Sequence, residues 1–265
     1  DIRIISIQSG TAYNIVPDKA VAEIMATHPN QVAEACQQFA KETGYNLTAS
    51  PGPANLSITS VGKAAHGSTP YKGVNAAMQL FAFLATLDLA SSDMSEAIRF
   101  VDSQIDMETD GRSLGLAMED EPSGNLTLNV GLVNATLKRM TLGLNIRYPV
   151  TSTFDEVMSL LNQSLEGSGF IAAVSQQVQD PLYYPKDSPL IVTLTRVYSE
   201  HTGRNDSAIA IGGGTYAKEM PNIVASGPMM PDQEEVEHQA NEYIAIDQLV
   251  NVTKIYAQDI YELAR

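Results

Sequence analysis

Ile2, Ile4, Ile5 and Ile7 crowd the opening residues and predict a β-strand there. Residues 20–26 predict a second strand. Val32, Ala35, Cys36, Phe39 and Ala40 then fall at helical spacing, with Gly44 as the stop. Residues 55–61 read as a strand. Val74, Ala77, Met78, Phe81 and Leu84 predict a second helix, and Ile98, Val101 and Ile105 a third. The clearest strands follow. Leu126, Leu128, Val130 and Leu132 alternate with polar or small residues, as do Met140, Leu142, Leu144 and Ile146. Such alternation gives one buried and one open face, as in an antiparallel sheet. Thr153 with Glu156 makes a capping-box signal ahead of Phe154, Val157, Leu161 and Leu165. A further strand is predicted over 170–178.

Pro181, Pro185 and Pro189 then break the pattern and mark a linker or crossing segment. Beyond it the sequence predicts a helix over 190–201, a strand ending in Gly212-Gly213-Gly214, a short strand over 223–226 and a long C-terminal helix. The expected organisation is an α+β domain at 1–180, with antiparallel sheet and helices on one face, and a smaller α/β part at 181–265. Two strands make a thin core, so the second part reads as a piece of a larger domain. The chain does not begin with Met and opens inside an element. This predicts an excised or processed piece of a longer protein; a trimmed disordered start is the alternative.

Composition narrows the class. Of 265 residues, 44% are hydrophobic and 18% charged, enough for a sizeable core. The net charge is −15, which repels phosphate backbones and argues against nucleic acid as a partner. The longest apolar run, residues 76–87, is too short to span a bilayer, so no membrane partner is expected. One cysteine, Cys36, excludes an internal disulfide framework and a Cys-rich zinc module, and fits a reducing, cytoplasmic setting. Cys36 lies on the helical apolar stripe and reads as an inert core thiol.

The remaining chemistry lies in a few places. His28 precedes a helix as a turn residue, and His201 falls in the last turn before Gly203, where an imidazolium favours the helix end. His66 sits among small residues, Gly62-Lys63-Ala64-Ala65-His66-Gly67-Ser68-Thr69-Pro70, between a strand and a helix. It could donate to a developing oxyanion, or simply cap the next helix. His238 lies in an acidic run, Glu234-Glu235-Val236-Glu237-His238, which suits a metal ion or is a solvated loop. By strand parity Arg147 faces away from the apolar stripe, either to clamp a carboxylate or to solubilise the surface. Gly212, Gly213 and Gly214, followed by Thr215, permit close backbone approach and a nest of N–H donors, but form no phosphate loop. No nucleophile elbow is present.

Taken in order, Asn14-Ile15-Val16-Pro17-Asp18, the segment 62–70 with Gly73-Val74-Asn75-Ala76, Asn145-Ile146-Arg147-Tyr148-Pro149, Gly212 to Lys218 with Met220-Pro221-Asn222, and His238-Gln239-Ala240-Asn241-Glu242-Tyr243 resemble zinc-dependent dipeptidases of the PepV type. These group with carnosinases, aminoacylases, carboxypeptidase G and succinyl-diaminopimelate desuccinylase. The resemblance implies a lid domain at 1–180, made of two related α+β subdomains, and the C-terminal part of a catalytic domain at 181–265. It implies metal-dependent hydrolysis of dipeptides by a parent enzyme. His66 would stabilise the oxyanion, with Asn14 assisting. Arg147 would bind the substrate's terminal carboxylate. Gly213, Gly214 and Thr215 would line the substrate pocket, and His238 would ligate zinc. A complete site would take two Zn2+ ions, of which this chain holds at most one partial site. The family's upstream ligands and glutamate base find no counterpart here, so the chain alone is expected to be inactive. A monomer is expected for the full-length enzyme. A non-catalytic peptide-binding or self-association module, and an N-acyl-amino-acid deacylase of the same superfamily, are the alternatives.

Overall fold

In a computed structural model, residues 2–52, 55–176, 178–227, 229–234, 236 and 241–265 are described. The chain divides into two compact units, Asp1–Pro181 and Leu182–Arg265.

The first unit is built on strands β1 (Ile2–Ser9), β2 (Lys19–Ala26), β3 (Asn46–Pro51), β4 (Leu56–Val61), β5 (Glu119–Asp120), β6 (Gly124–Asn125), β7 (Thr127–Thr136) and β8 (Arg139–Arg147). Its helices are α1 (Pro29–Thr43), α2 (Ala76–Thr86), α3 (Asp93–Gln104) and α4 (Phe154–Ser164). Six strands form one antiparallel sheet in the order β3-β4-β2-β1-β7-β8, and β5 with β6 forms a small hairpin. Ala20, Ala22 and Ile24 of β2 and Leu56 and Ile58 of β4 repeat every second residue into the core. Ile4 and Ile7 of β1 also face it, three residues apart, because a bulge between Ile4 and Ser6 inserts one residue. A second bulge, between Val130 and Leu132, does the same to β7. Leu128 and Val130 point into the core, but Val133 takes the place expected for Leu132.

The helices cover one face of this sheet and share a single core with it. Helix α2 is buried from Ala76 to Leu84 at all positions but Ala82. It starts at Asn75, whose side chain accepts from the Ala77 and Met78 N–H groups. Helix α1 ends at Gly44, whose φ of 76° is the left-handed cap that glycine supplies most readily. Thr153 and Glu156 close a capping box on α4 as the sequence predicts, and Ser92 with Ser95 does so on α3. Cys36 is fully buried, and burial pushes its thiol up to about 11. It is the inert core group expected.

Three predicted strands do not form among the described residues. Residues 170–176 and 178 run without regular structure; Phe170 is held instead by its ring against Phe100, centroids 5.5 Å apart. In the second unit, the segments before Gly212 and over 223–226 are irregular. An extended segment is stable only when a neighbour pairs its backbone, and neither segment has one there. The α/β expectation for 181–265 is therefore corrected to α for the described residues. That unit rests on α5 (Pro189–Thr202) and α6 (Ile246–Ala264), with a single 3-10 turn, Tyr216–Lys218. Val197, Ala217, Val252 and Ile255 are its buried apolar residues among those described. Arg196 pairs with Glu200 at 2.7 Å along α5 and with Glu262 of α6 at 3.0 Å across the helix pair.

Candidate functional site

Two loops define the site. Residues 10–18 join β1 to β2, and residues 62–75 join β4 to α2. They run side by side. The Val16 N–H donates to the Ala65 carbonyl at 2.9 Å, Gly67 to Asn14 at 2.7 Å, and Gly62 to Asp18 at 2.8 Å. Ile15 and His66 face each other in an antiparallel bridge. Asn14 and His66, both exposed, are thus held on adjacent backbone.

The sheet holds the first loop from beneath. Asn129 of β7 is 1% exposed, and its Nδ2 donates to the carbonyls of Tyr13 at 2.9 Å and Ile15 at 3.0 Å. A buried amide that satisfies two loop carbonyls fixes the loop's height over the sheet. Asn75 ties the second loop down in the same way, its Nδ2 donating to the Val130 carbonyl at 3.0 Å. Gly131, at the bulge, is required by close approach. A Cβ there would stand 2.2 Å from the Tyr13 oxygen and 2.5 Å from that of Ala12. Asn129 and Asn75 carry no motif of their own. Their only signal in the sequence is a polar residue where a strand or a helix start turns apolar.

Asn129 lies directly opposite Asn145 of β8, and Thr127 opposite Arg147. These four share the face away from the helices, as the parity of Arg147 predicts. Arg147 is half-buried. Its Nε donates to Asn145 Oδ1 at 3.1 Å, and it forms no ion pair among the described residues. Burial pulls the pKa of its guanidinium down from its ordinary value. Asn145 Oδ1 also lies beside the His66 loop. A Cβ on Gly67 would come within 3.0 Å of it, and within 3.0 Å of Asn14 Cα. The structure therefore brings Asn14, His66 and Arg147 into one patch, with Asn145 between the last two.

The His66 ring is oriented by its own loop. Its Nδ1 lies 2.7 Å from Ser68 Oγ and 3.4 Å from the Ser68 backbone N–H. A backbone N–H can only donate, so Nδ1 is the acceptor. In the neutral ring this network assigns the proton to Nε2.

The other candidates stand elsewhere. Gly213, Gly214 and Thr215 belong to the second unit. Thr215 caps the turn Tyr216–Lys218, its Oγ1 accepting from the Ala217 N–H at 3.3 Å. Among the described residues no strand precedes the glycines, and Gly213 packs loosely, a Cβ there meeting Ile211 Cδ1 at 3.9 Å and no other described atom within 4 Å. His238 lies outside the described residues. His28 stands at the exposed N-cap of α1 without capping it, and His201 Nε2 pairs with Gln258 Oε1 at 2.7 Å. Among the described residues no three His, Cys, Asp or Glu side chains converge to hold a metal ion. The donor set described does not fit a zinc ion by itself. No helix among the described residues is long and apolar enough to cross a membrane.

Comparison with known proteins gives the patch a context. Residues 48–168 match the M20 family model of a peptidase dimerisation domain. The chain is 32% identical over 265 residues to the "Putative dipeptidase" of Staphylococcus epidermidis, which covers 99% of this chain and 56% of that protein. It is 34% identical over 263 residues to "Putative dipeptidase YtjP" of Bacillus subtilis, again 99% of this chain and 56% of the relative. Residues 48–168 are thus similar to the M20 dimerisation domain, and nearly the whole chain is similar to these dipeptidase-named relatives. It spans about half the length, 56%, of these curated relatives. Of the seven site candidates, His66 and Arg147 fall within the matched M20 segment, as do the two strands that carry Asn129 and Asn145. The description as a dimerisation domain points to self-association, which does not clearly fit the monomer expected from the sequence.

Proposed function

We propose that this chain is the substrate-gripping portion of a metal-dependent dipeptidase, with residues 1–180 as its lid and 181–265 as the C-terminal part of its catalytic domain. The observation that carries the reading is the half-buried Arg147 guanidinium, without an ion pair among the described residues, in one patch with His66. A cation held partly out of water without a counter-ion favours an anionic ligand, and a guanidinium fork fits a carboxylate. The terminal carboxylate of a short peptide supplies that group. With the carboxylate fixed at Arg147, the His66 Nε2–H is the donor for the oxygen that gains charge at the scissile carbonyl. The exposed Asn14 amide assists beside it. The lid is read as two related α+β parts, one around β2, β3 and β4 and one around β7 and β8. Two zinc ions, with His238 as one ligand, would activate water in the complete enzyme. Gly213, Gly214 and Thr215 would line the pocket.

Two further features support the reading. Ile209 and Ile246 of the second unit are 83% and 82% exposed, as expected of a piece whose apolar surface belongs against more protein. The lone, buried Cys36 fits a cytoplasmic setting. The test is turnover of dipeptides by the complete polypeptide and its His66→Ala variant. Loss of the oxyanion donor should lower kcat by about 10²–10³-fold with KM little changed. Equal kcat in the two proteins removes the role given to His66. Faster hydrolysis of N-acyl amino acids than of dipeptides would move the substrate class to the deacylases.

A second reading, self-association of the first unit, is favoured by the matched dimerisation domain. Sedimentation of the chain over a range of concentrations should show a dimer. A monomer at every concentration would exclude it.

A further inference from the structure

We propose that Asn145 is a positioning residue for Arg147, fixing the guanidinium so that its terminal nitrogens alone face the substrate carboxylate. The inference rests on the reading of Arg147 as the carboxylate clamp. A guanidinium offers two bidentate edges, one through Nε and one Nη and one through both Nη atoms. Asn145 Oδ1 occupies Nε at 3.1 Å, so the first edge is closed and the second remains. A neutral amide does this without supplying a counter-charge. Arg147 makes no other hydrogen bond and no ion pair among the described residues, so its charge stays directed outward.

Asn145 is itself held. It lies on β8 directly across from Asn129, the residue that anchors the Asn14 loop. Gly67 leaves room for its oxygen, since a Cβ there would approach Oδ1 to 3.0 Å. The side chain that orients Arg147 thus lies beside the loop that carries His66.

Two measurements test it. In the 15N-labelled chain, the Arg147 Nε–Hε cross-peak, identified by its loss in Arg147→Lys, should exchange slowly with water. Asn145→Leu should abolish that protection, and Asn145→Asp, which keeps an acceptor, should retain it. A fast-exchanging Nε–Hε in the unsubstituted chain overturns the proposal without any variant. In the complete enzyme, Asn145→Leu should raise KM about tenfold for a dipeptide, the loss expected for one hydrogen bond to a charged group, with kcat nearly unchanged. The KM for the corresponding dipeptide amide should not move. Equal weakening of acid and amide by Asn145→Leu would mark Asn145 as merely structural and refute the inference. If Arg147→Lys itself weakens acid and amide equally, the carboxylate reading falls, and the inference with it. If Arg147→Lys separates them and Asn145→Leu does not, the positioning role alone falls.

Discussion

Asp120 receives four hydrogen bonds on a strand only two residues long. Its Oδ1 accepts from the Ser123 N–H and hydroxyl, both at 2.7 Å, and its Oδ2 from the Thr151 N–H at 3.1 Å and hydroxyl at 3.0 Å. Burial pushes its carboxyl up, but the bonds from Ser123 and Thr151 outweigh that and bring it down to about 2. The folded value lies below the ordinary carboxyl value of 3.8, so the ionised form stabilises the fold. That contribution is complete above about pH 4 and is lost as pH falls towards about 2. Asn cannot accept all four bonds. Asp120→Asn should therefore melt a few degrees below the parent at pH 6, and the gap should close as the pH is lowered from 4 to 2. Thermal melts at stepped pH values check this. A gap that persists unchanged at pH 2 would show that Asp120 acts by packing and not by charge. Nothing in the local sequence marks this residue, because its partners lie 3 and 31 positions away. Cys36 and Arg147 are the contrast. Helical spacing alone places Cys36 in the core, and strand parity alone places Arg147 on the opposite face, because both follow from the period of a single element.

Elements were legible where their own hydrophobic period was unbroken. Helices α1 and α4, and strands β2 and β8, keep one period from end to end. Strands β1 and β7 do not. Each carries one extra residue, so the core face passes from Ile4 to Ile7 and from Val130 to Val133. A period-2 reading over Leu126 to Leu132 is correct up to the bulge and on the wrong face after it. The edge strand β3 was missed for another reason. It pairs on one side only and buries only Leu47, so its sequence carries almost no pattern. Residues 170–178 and the two segments of the second unit failed in the opposite sense. Their apolar residues suit a strand, but a strand also needs a neighbour, which no local pattern reports. The site depends on the same non-local facts. The loop that carries Asn14 is supported by Asn129, more than a hundred residues away in sequence. His66 and Arg147 stand out by residue type, whereas Asn129 and Asn145 gain their meaning only when β7 and β8 pair in register.

At the scale of the whole chain the two units differ in how much holds each together. Among the described residues the first has thirty buried apolar residues in one cluster spanning its sheet and four helices. Such a core offsets the loss of chain entropy for a domain of this size. The second has two packed helices, one short turn and the buried residues Val197, Ala217, Val252 and Ile255. Its helix α6 leaves Ile246, Ile260 and Tyr261 exposed at 82%, 69% and 64%. Helical propensity and surface ion pairs such as Arg196–Glu262 add little where so few apolar groups leave water. Residues 1–181 expressed alone should therefore unfold in one cooperative transition in urea, with a slope on the order of 1–3 kcal/mol/M. Residues 182–265 expressed alone should lose helical signal gradually from the first addition of urea, with no plateau. Circular dichroism of the two pieces decides the matter. A sharp transition for 182–265 would mean that its core is sufficient by itself. Its exposed isoleucines would then be ordinary surface, and the reading of this unit as part of a larger catalytic domain would lose its support.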